Sequence, residues 1–94
     1  NGFMNTPEKF ELNAVYPNPF NPSTEISFVL NENMNIELSV FNAYGQKVDT
    51  IVQGYQSAGS YHFTWDASLM PSGIYFVKLA SGNIIETQKA ILIK

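Results

Sequence analysis

Tyr16-Pro17-Asn18-Pro19-Phe20-Asn21-Pro22 is the stretch around which the rest of the 94-residue chain is organised. Three prolines so close together forbid both a helix and a central strand. Each fixes its own φ at about −65° and presses the residue before it toward extended geometry. Asn18 and Asn21 carry short side chains that bond back to the local backbone in turns. Tyr16 and Phe20 add apolar mass that a linker does not need. The stretch therefore reads as a rigid elbow: a short strand enters, two aromatics anchor it, and a second strand leaves. A proline-rich flexible tether is the competing reading, and the aromatics argue against it.

Before the elbow, Phe10 to Tyr16 alternates loosely, with Phe10, Leu12 and Ala14 set against Glu11, Asn13 and Val15. It reads as a short first strand. After the elbow, Thr24 to Leu30 alternates cleanly, Ile26, Phe28 and Leu30 pointing one way. Asn31-Glu32-Asn33 is a turn cluster. Met34 to Phe41 repeats the pattern, with Met34, Ile36, Leu38 and Val40 inward and Asn35, Glu37 and Ser39 outward. Asn42-Ala43-Tyr44-Gly45 breaks it, and Gly45 is expected to take the positive φ of a tight turn.

Val48, Ile51 and Val52 suggest a shorter, less regular strand ending before Gly54, and Ser57 to Ser60 is again a turn. Ser60 to Asp66 sets Tyr61, Phe63 and Trp65 on one face and His62 and Thr64 on the other. Three alternating aromatics are too much apolar surface to leave wet, so this strand is expected in the core. Truncating one such buried ring costs about 3–5 kcal/mol. Leu69 to Gly73 turns the chain, and Ile74 to Ala80 follows with Tyr75, Val77 and Leu79 on one side. Ser81-Gly82-Asn83 is a hairpin connection of common size. Ile84 to Lys94 closes the chain, apolar on both faces near its end. Such a strand is either covered on both faces or open to a partner.

Seven short strands at spacings of about 8–12 residues, with no helical pattern, predict an all-β fold. The expected architecture is an Ig-like antiparallel β-sandwich of about seven strands, with no internal repeat. Ninety-four residues suffice for one core and not for two. Residues 1–9 read as a linker or cloning remnant, and residues 10–94 as the single sandwich domain. Asn1-Gly2 is not a natural start, so the chain reads as a fragment, and localisation is not legible from its first residues. No basic region followed by an apolar stretch opens the chain, so no signal peptide is expected in it.

Composition narrows function further. Cysteine is absent, which excludes disulfides, thiolate metal sites and thiol catalysis. A net charge of −3, with five lysines and no arginine, argues against a nucleic-acid partner. No apolar run approaches the roughly 18 residues of a transmembrane segment. His62 is the only histidine and falls on an outward face, as a solvated surface residue would. Asp49 and Asp66 are the only aspartates, without the spacing of a calcium loop. No serine stands in a G-x-S-x-G elbow. No enzymatic activity, cofactor or metal is expected. Tyr44, Tyr55 and Phe76 lie off the predicted core register and are the candidates for a glycan-binding platform. On the alternative reading Tyr44 and Tyr55 brace turns, and Phe76 covers the opposite face of its sheet.

The order of the turns is specific. Tyr16-Pro17-Asn18-Pro19-Phe20-Asn21-Pro22 is followed by Val40-Phe41-Asn42-Ala43-Tyr44-Gly45-Gln46-Lys47-Val48, then by Asp66-Ala67-Ser68-Leu69-Met70-Pro71-Ser72-Gly73-Ile74-Tyr75-Phe76, then by a last strand with a terminal lysine. Over about residues 10–94 this series resembles the type A C-terminal sorting domain of the type IX (Por) secretion system. It is also similar to the Ig-like domain of flagellar hook-capping proteins, a relative in fold.

The resemblance implies a sandwich at the C-terminus of a larger exported protein of the Bacteroidetes and their allies. The sorting signal would carry its cargo through the periplasm to the cell surface or the extracellular space. The implied partners are the outer-membrane type IX translocon and a sortase-type cysteine protease that cuts in the linker, here Asn1 to Lys9. Translocon recognition maps to Lys89, Ala90, Ile91, Leu92, Ile93 and Lys94. Gly45, Pro71, Gly73 and Tyr75 match pattern positions with structural roles, as turn glycines, a turn proline and a core ring. Trp65 and the elbow residues Tyr16, Pro17, Asn18, Pro19 and Phe20 complete the structural set. Asn42 stands where aspartate is common, and Met70 where leucine is common. A tag without chemistry needs a displayed edge, and the unpaired backbone groups of a terminal strand supply a docking template. The same edge is a route to self-association. A glycan-binding module and a structural Ig-like spacer are the alternatives in other functional classes.

Overall fold

The computed structural model describes residues 9–94. The linker expected at residues 1–9 thus lies, Lys9 apart, outside the described residues. Seven strands follow in order: β1 (Phe10–Leu12), β2 (Ser23–Leu30), β3 (Met34–Asn42), β4 (Lys47–Gln56), β5 (Gly59–Asp66), β6 (Gly73–Ser81) and β7 (Ile84–Leu92). They form two antiparallel sheets, one ordered β1-β2-β5 and the other β4-β3-β6-β7. The all-β sandwich expected from the alternation is the fold observed.

The inner faces are the alternating apolar rows of β2, β3 and β6. Ile26, Leu38, Val40, Val77 and Leu79 have no exposed surface, and Ala90 of β7 joins them. Period-two patterning works here because each of these strands has one face on the core and one turned outward. Gly45 has φ +83°, as the β3–β4 turn requires. Ser81 pairs with Ile84, so Gly82-Asn83 is the two-residue loop of the β6–β7 hairpin.

Several expectations need correction. Strand β1 stops at Leu12 instead of running to Tyr16, and Val15 is buried while Ala14 is exposed. The cause is one extra residue. Leu12 pairs with Phe28 and Tyr16 bridges Glu25, so four steps on one chain oppose three on the other. Such a bulge reverses the in–out parity. Strand β4 is longer than expected and Gly54 lies inside it. Pairing shifts between Leu38 and Ser39 and again between Val40 and Phe41, which leaves Ile51 and Val48 as extra residues. Two parity reversals explain why the apolar spacing of β4 looked irregular.

In β5 only Trp65 is fully buried, while Tyr61 and Phe63 are half-buried. Strand β5 is an edge of the narrower sheet, so its inward face is covered from one side only. Phe28 stacks on both rings, with centroids 5.1 Å from Tyr61 and 6.1 Å from Phe63. Ser39, expected outward, is nearly inaccessible on the central strand β3, and its hydroxyl donates to Glu37 at 2.6 Å.

Candidate recognition site at the loop end

Strand directions bring the elbow, the β3–β4 turn, the β5–β6 loop and the end of β7 to one end of the sandwich. These are the four stretches singled out in the sequence. A row of rings closes the core beneath them. Phe20 is buried and lies 5.7 Å from Trp65, whose other edge meets Tyr75 at 5.4 Å. The Trp65 indole N–H donates to Asp49 Oδ2 at 3.1 Å. The Tyr75 hydroxyl donates to the Pro71 carbonyl at 2.6 Å, and burial pushes its phenol above the ordinary value. The bond to Pro71 ties the β5–β6 loop to the core ring.

The elbow is built as a clamp. The Thr24 hydroxyl, fully buried, donates to the Pro17 carbonyl at 2.7 Å, and Ala67 N–H donates to the Pro22 carbonyl at 2.9 Å. The peptide bonds preceding Pro17, Pro19 and Pro22 are cis. Only one of its two aromatics is an anchor. Phe20 enters the core, whereas Tyr16 is 78% exposed because the bulge turns Val15 inward in its place.

Asn18 does not bond back to its own turn. Its Nδ2 donates to the Lys89 carbonyl at 2.8 Å, and its Oδ1 accepts the Ile91 N–H at 2.9 Å. Phe20 continues the pairing with its backbone: its N–H donates to the Ile91 carbonyl at 2.9 Å, and its carbonyl accepts the Ile93 N–H at 3.0 Å. Asn18 to Phe20 thus acts as a short extra strand, parallel to the end of β7.

This corrects the expectation of an open edge. From the Lys89 carbonyl to the Ile93 N–H, the outward-turned backbone groups at the end of β7 are bonded to the elbow. Further back, Glu86 accepts the Leu12 N–H at 2.8 Å and Gln88 donates to the Leu12 carbonyl at 3.1 Å, stitching β7 to β1. The terminal strand does not offer a free ladder along this stretch, for docking or for self-association.

The six residues assigned to recognition divide by burial. Ala90 and Leu92 are core residues. Lys89 is exposed, Ile91 is half-buried, and Ile93 is 54% exposed. Lys94 folds back onto the β5–β6 loop: its N–H donates to Ser72 Oγ at 3.1 Å and its Nζ to the Ser68 carbonyl at 2.6 Å. Neither serine was singled out in the sequence, because nothing local marks a residue that receives a chain end.

The β3–β4 turn is organised by Asn42, whose Oδ1 accepts the N–H groups of Tyr44 at 2.9 Å and Gln46 at 3.0 Å. An aspartate would accept the same two bonds. Asparagine adds a third, donating to Gln46 Oε1 at 2.8 Å. A hollow of about 220 Å³, lined by Asn42, Tyr44, Pro71, Ser72 and Tyr75 among others, separates this turn from the β5–β6 loop. Tyr44, in its lining, is 89% exposed, and Leu69 of the β5–β6 loop is 93% exposed. Leu69 was read only as a turn residue, and its exposure has no local sequence signal.

The three candidate glycan-binding rings are not brought together. Phe76 pairs with Phe41, while Tyr55 pairs with Asn35 six residues along β3. At 3.3 Å per residue they are separated by about 20 Å along the strand. Tyr55 is exposed on its strand and braces no turn. His62, as expected, is exposed. Its Nε2 lies 2.9 Å from Glu25, which also accepts the Thr64 hydroxyl. On the outer face of the wider sheet, Lys47 and Ser39 both bond Glu37. The Lys47 hydrogen bond first, and the Ser39 hydroxyl second, hold its carboxyl below the usual range.

A family model described as a secretion system C-terminal sorting domain matches residues 14–94, nearly the whole chain. No curated protein matches it.

Proposed function

We propose, for a chain that belongs to the family of secretion system C-terminal sorting domains, that the end of β7 is the part read by the secretion machinery. The domain is a C-terminal sorting signal for type IX secretion, a family of signals and not of enzymes. A protein that carries it interacts with the type IX machinery and passes through the periplasm to the cell surface or the extracellular space.

The finer assignment divides the six residues by role. Lys89, Ile91, Ile93 and Lys94 meet the outer-membrane translocon, and Ala90 and Leu92 hold that surface to the core. Residues 1–9 serve as the linker in which a sortase-type cysteine protease cuts, and residues 10–94 as the folded signal. The cargo is then anchored at the surface or released. The observation that carries this reading is the clamp. Asn18 and Phe20 fasten the backbone from Lys89 to Ile93, so the terminal side chains are held in one geometry before any receptor arrives. Preorganisation of this kind lowers the entropic cost of recognition.

Truncation is a poor test, since removing residues 90–94 takes Ala90 and Leu92 out of the core. Ile93→Asp and Lys94→Glu alter exposed side chains. Fused behind an exported reporter, the double variant is expected to fold and to remain in the periplasm. Normal export of a folded I93D/K94E protein would remove the terminal residues from the recognition site.

A further inference from the structure

We infer that the outer face of β6 and β7 is a docking surface for a protein partner that presents an apolar surface rimmed by carboxylates. The inference rests on the sorting reading and adds to it the face and the partner's chemistry. The edge of β7 from Lys89 to Ile93 is taken up by the elbow, so a receptor reading this region has to read side chains.

Strand register defines what it meets. Ile74 pairs with Ile91, and two residues along, Phe76 pairs with Lys89 on one side and with Phe41 on the other. One step further, Lys78 pairs with Thr87. Cross-strand partners share a face, so Ile74, Ile91, Phe76 and Phe41 form a continuous apolar strip. Ile74 is exposed and Ile91, Phe76 and Phe41 are half-buried.

Charge selects the occupant. Of the five lysines in a chain of net charge −3, Lys47, Lys78 and Lys89 stand on this one face. Its one carboxylate among the described residues, Glu37, is already tied to Lys47. The Lys78 ammonium lies 4.6 Å from the Phe41 ring centroid, its stem along the strip. Neither Lys78 nor Lys89 has a carboxylate partner among the described residues. A positive face on an otherwise acidic domain attracts an acidic surface and repels its own kind. A two-fold contact with a second copy would set lysines against lysines. The apolar strip is recessed, with Phe76 half-buried and hollows of about 230 Å³ and 290 Å³ beside Phe41 and Lys78, unlike a protruding wedge made to enter lipid. An apolar centre within a charged rim is the anatomy of a protein interface.

The test uses the whole chain fused behind a fluorescent protein with a periplasmic signal peptide, in a bacterium with a working type IX system. T87E/K89E changes two exposed residues on the face. S57E/A58E/S60E changes the charge by the same amount on exposed residues away from it. Thermal unfolding of each purified domain checks folding. Export of T87E/K89E is expected to fall at least tenfold, with the matched control exported as the parent is. Equal export of T87E/K89E and parent would overturn the inference. So would lysine-dependent sedimentation of the purified domain with phosphatidylglycerol vesicles, or a dimer in sedimentation velocity that T87E/K89E dissolves. Failure of the parent fusion itself would overturn the sorting reading, and this inference with it.

Discussion

The side-chain oxygen of Asn18 accepts the backbone N–H of Ile91 at 2.9 Å across 73 residues of chain. One amide thereby joins the elbow that opens the fold to the strand that closes it. Asn18 Nδ2, donating to the neighbouring Lys89 carbonyl, makes the contact two-sided. The terminal strand of a sorting signal is thus held by the first motif of the same domain.

Replacing Asn18 with alanine removes both bonds and leaves the freed groups to water. A net hydrogen bond is worth about 0.5–1.5 kcal/mol, so the N18A domain is expected to lose roughly 1–3 kcal/mol in urea unfolding. Its distinctive sign is local. The Ile91 amide should exchange with solvent faster than the amides of β3, which the substitution does not touch.

Phe20→Ala removes a buried ring that packs on Trp65. The expected loss is about 3–5 kcal/mol, a large part of the roughly 5–15 kcal/mol of a whole domain. Tyr16→Ala, at an exposed ring of the same elbow, should stay within about 0.5 kcal/mol. Equal losses in the two variants would contradict the assignment of one anchor.

Acid should weaken the outer-sheet network in a stated direction. Bonds from Lys47 and Ser39 hold the Glu37 carboxyl below its ordinary 4.5. Between the folded value and 4.5 the unfolded chain binds more protons than the native one, so stability rises with pH across that window. The contribution is present above pH 4.5 and is lost as pH falls through the folded value. Carbon-13 titration of Glu37 should show the lowered midpoint in the parent and an upward move in Lys47→Met.

Alkali acts through Tyr75. Burial raises its phenol above 10.0, so the folded state favours the protonated ring. Below pH 10 the term is constant, and above it stability falls as the unfolded chain loses its proton first. Phenolate absorbance should show an ionisation displaced above 10.0. Tyr75→Phe should remove that step, and it also gives up the bond to the Pro71 carbonyl.

Much of the fold was legible because β2, β3 and β6 each bury one face. Ile26, Leu38, Val77 and their neighbours then recur at every second position. What was not legible depends on partners distant in sequence. Val15, Val48 and Ile51 sit at or beside bulges, and a bulge is a property of two strands. Tyr61 and Phe63 are half-covered because β5 is an edge, and strand order is not written in β5 itself. The site divides in the same way. The three turn motifs were visible as turn chemistry, and Gly45 took the positive φ expected of it. The bonds from Asn18 to β7 and from Lys94 to Ser68 and Ser72 span 22 to 73 residues, so no local pattern announces them.

The most direct measurement is a transplant of residues 1–94 behind a fluorescent protein bearing a periplasmic signal peptide. Fluorescence in the medium and on the cell surface would be compared between a strain with a working type IX translocon and one without it. Export in the first strain and periplasmic retention in the second is the predicted result. Folded fusion retained in the periplasm of both strains would contradict the claim that this domain is a sufficient sorting signal.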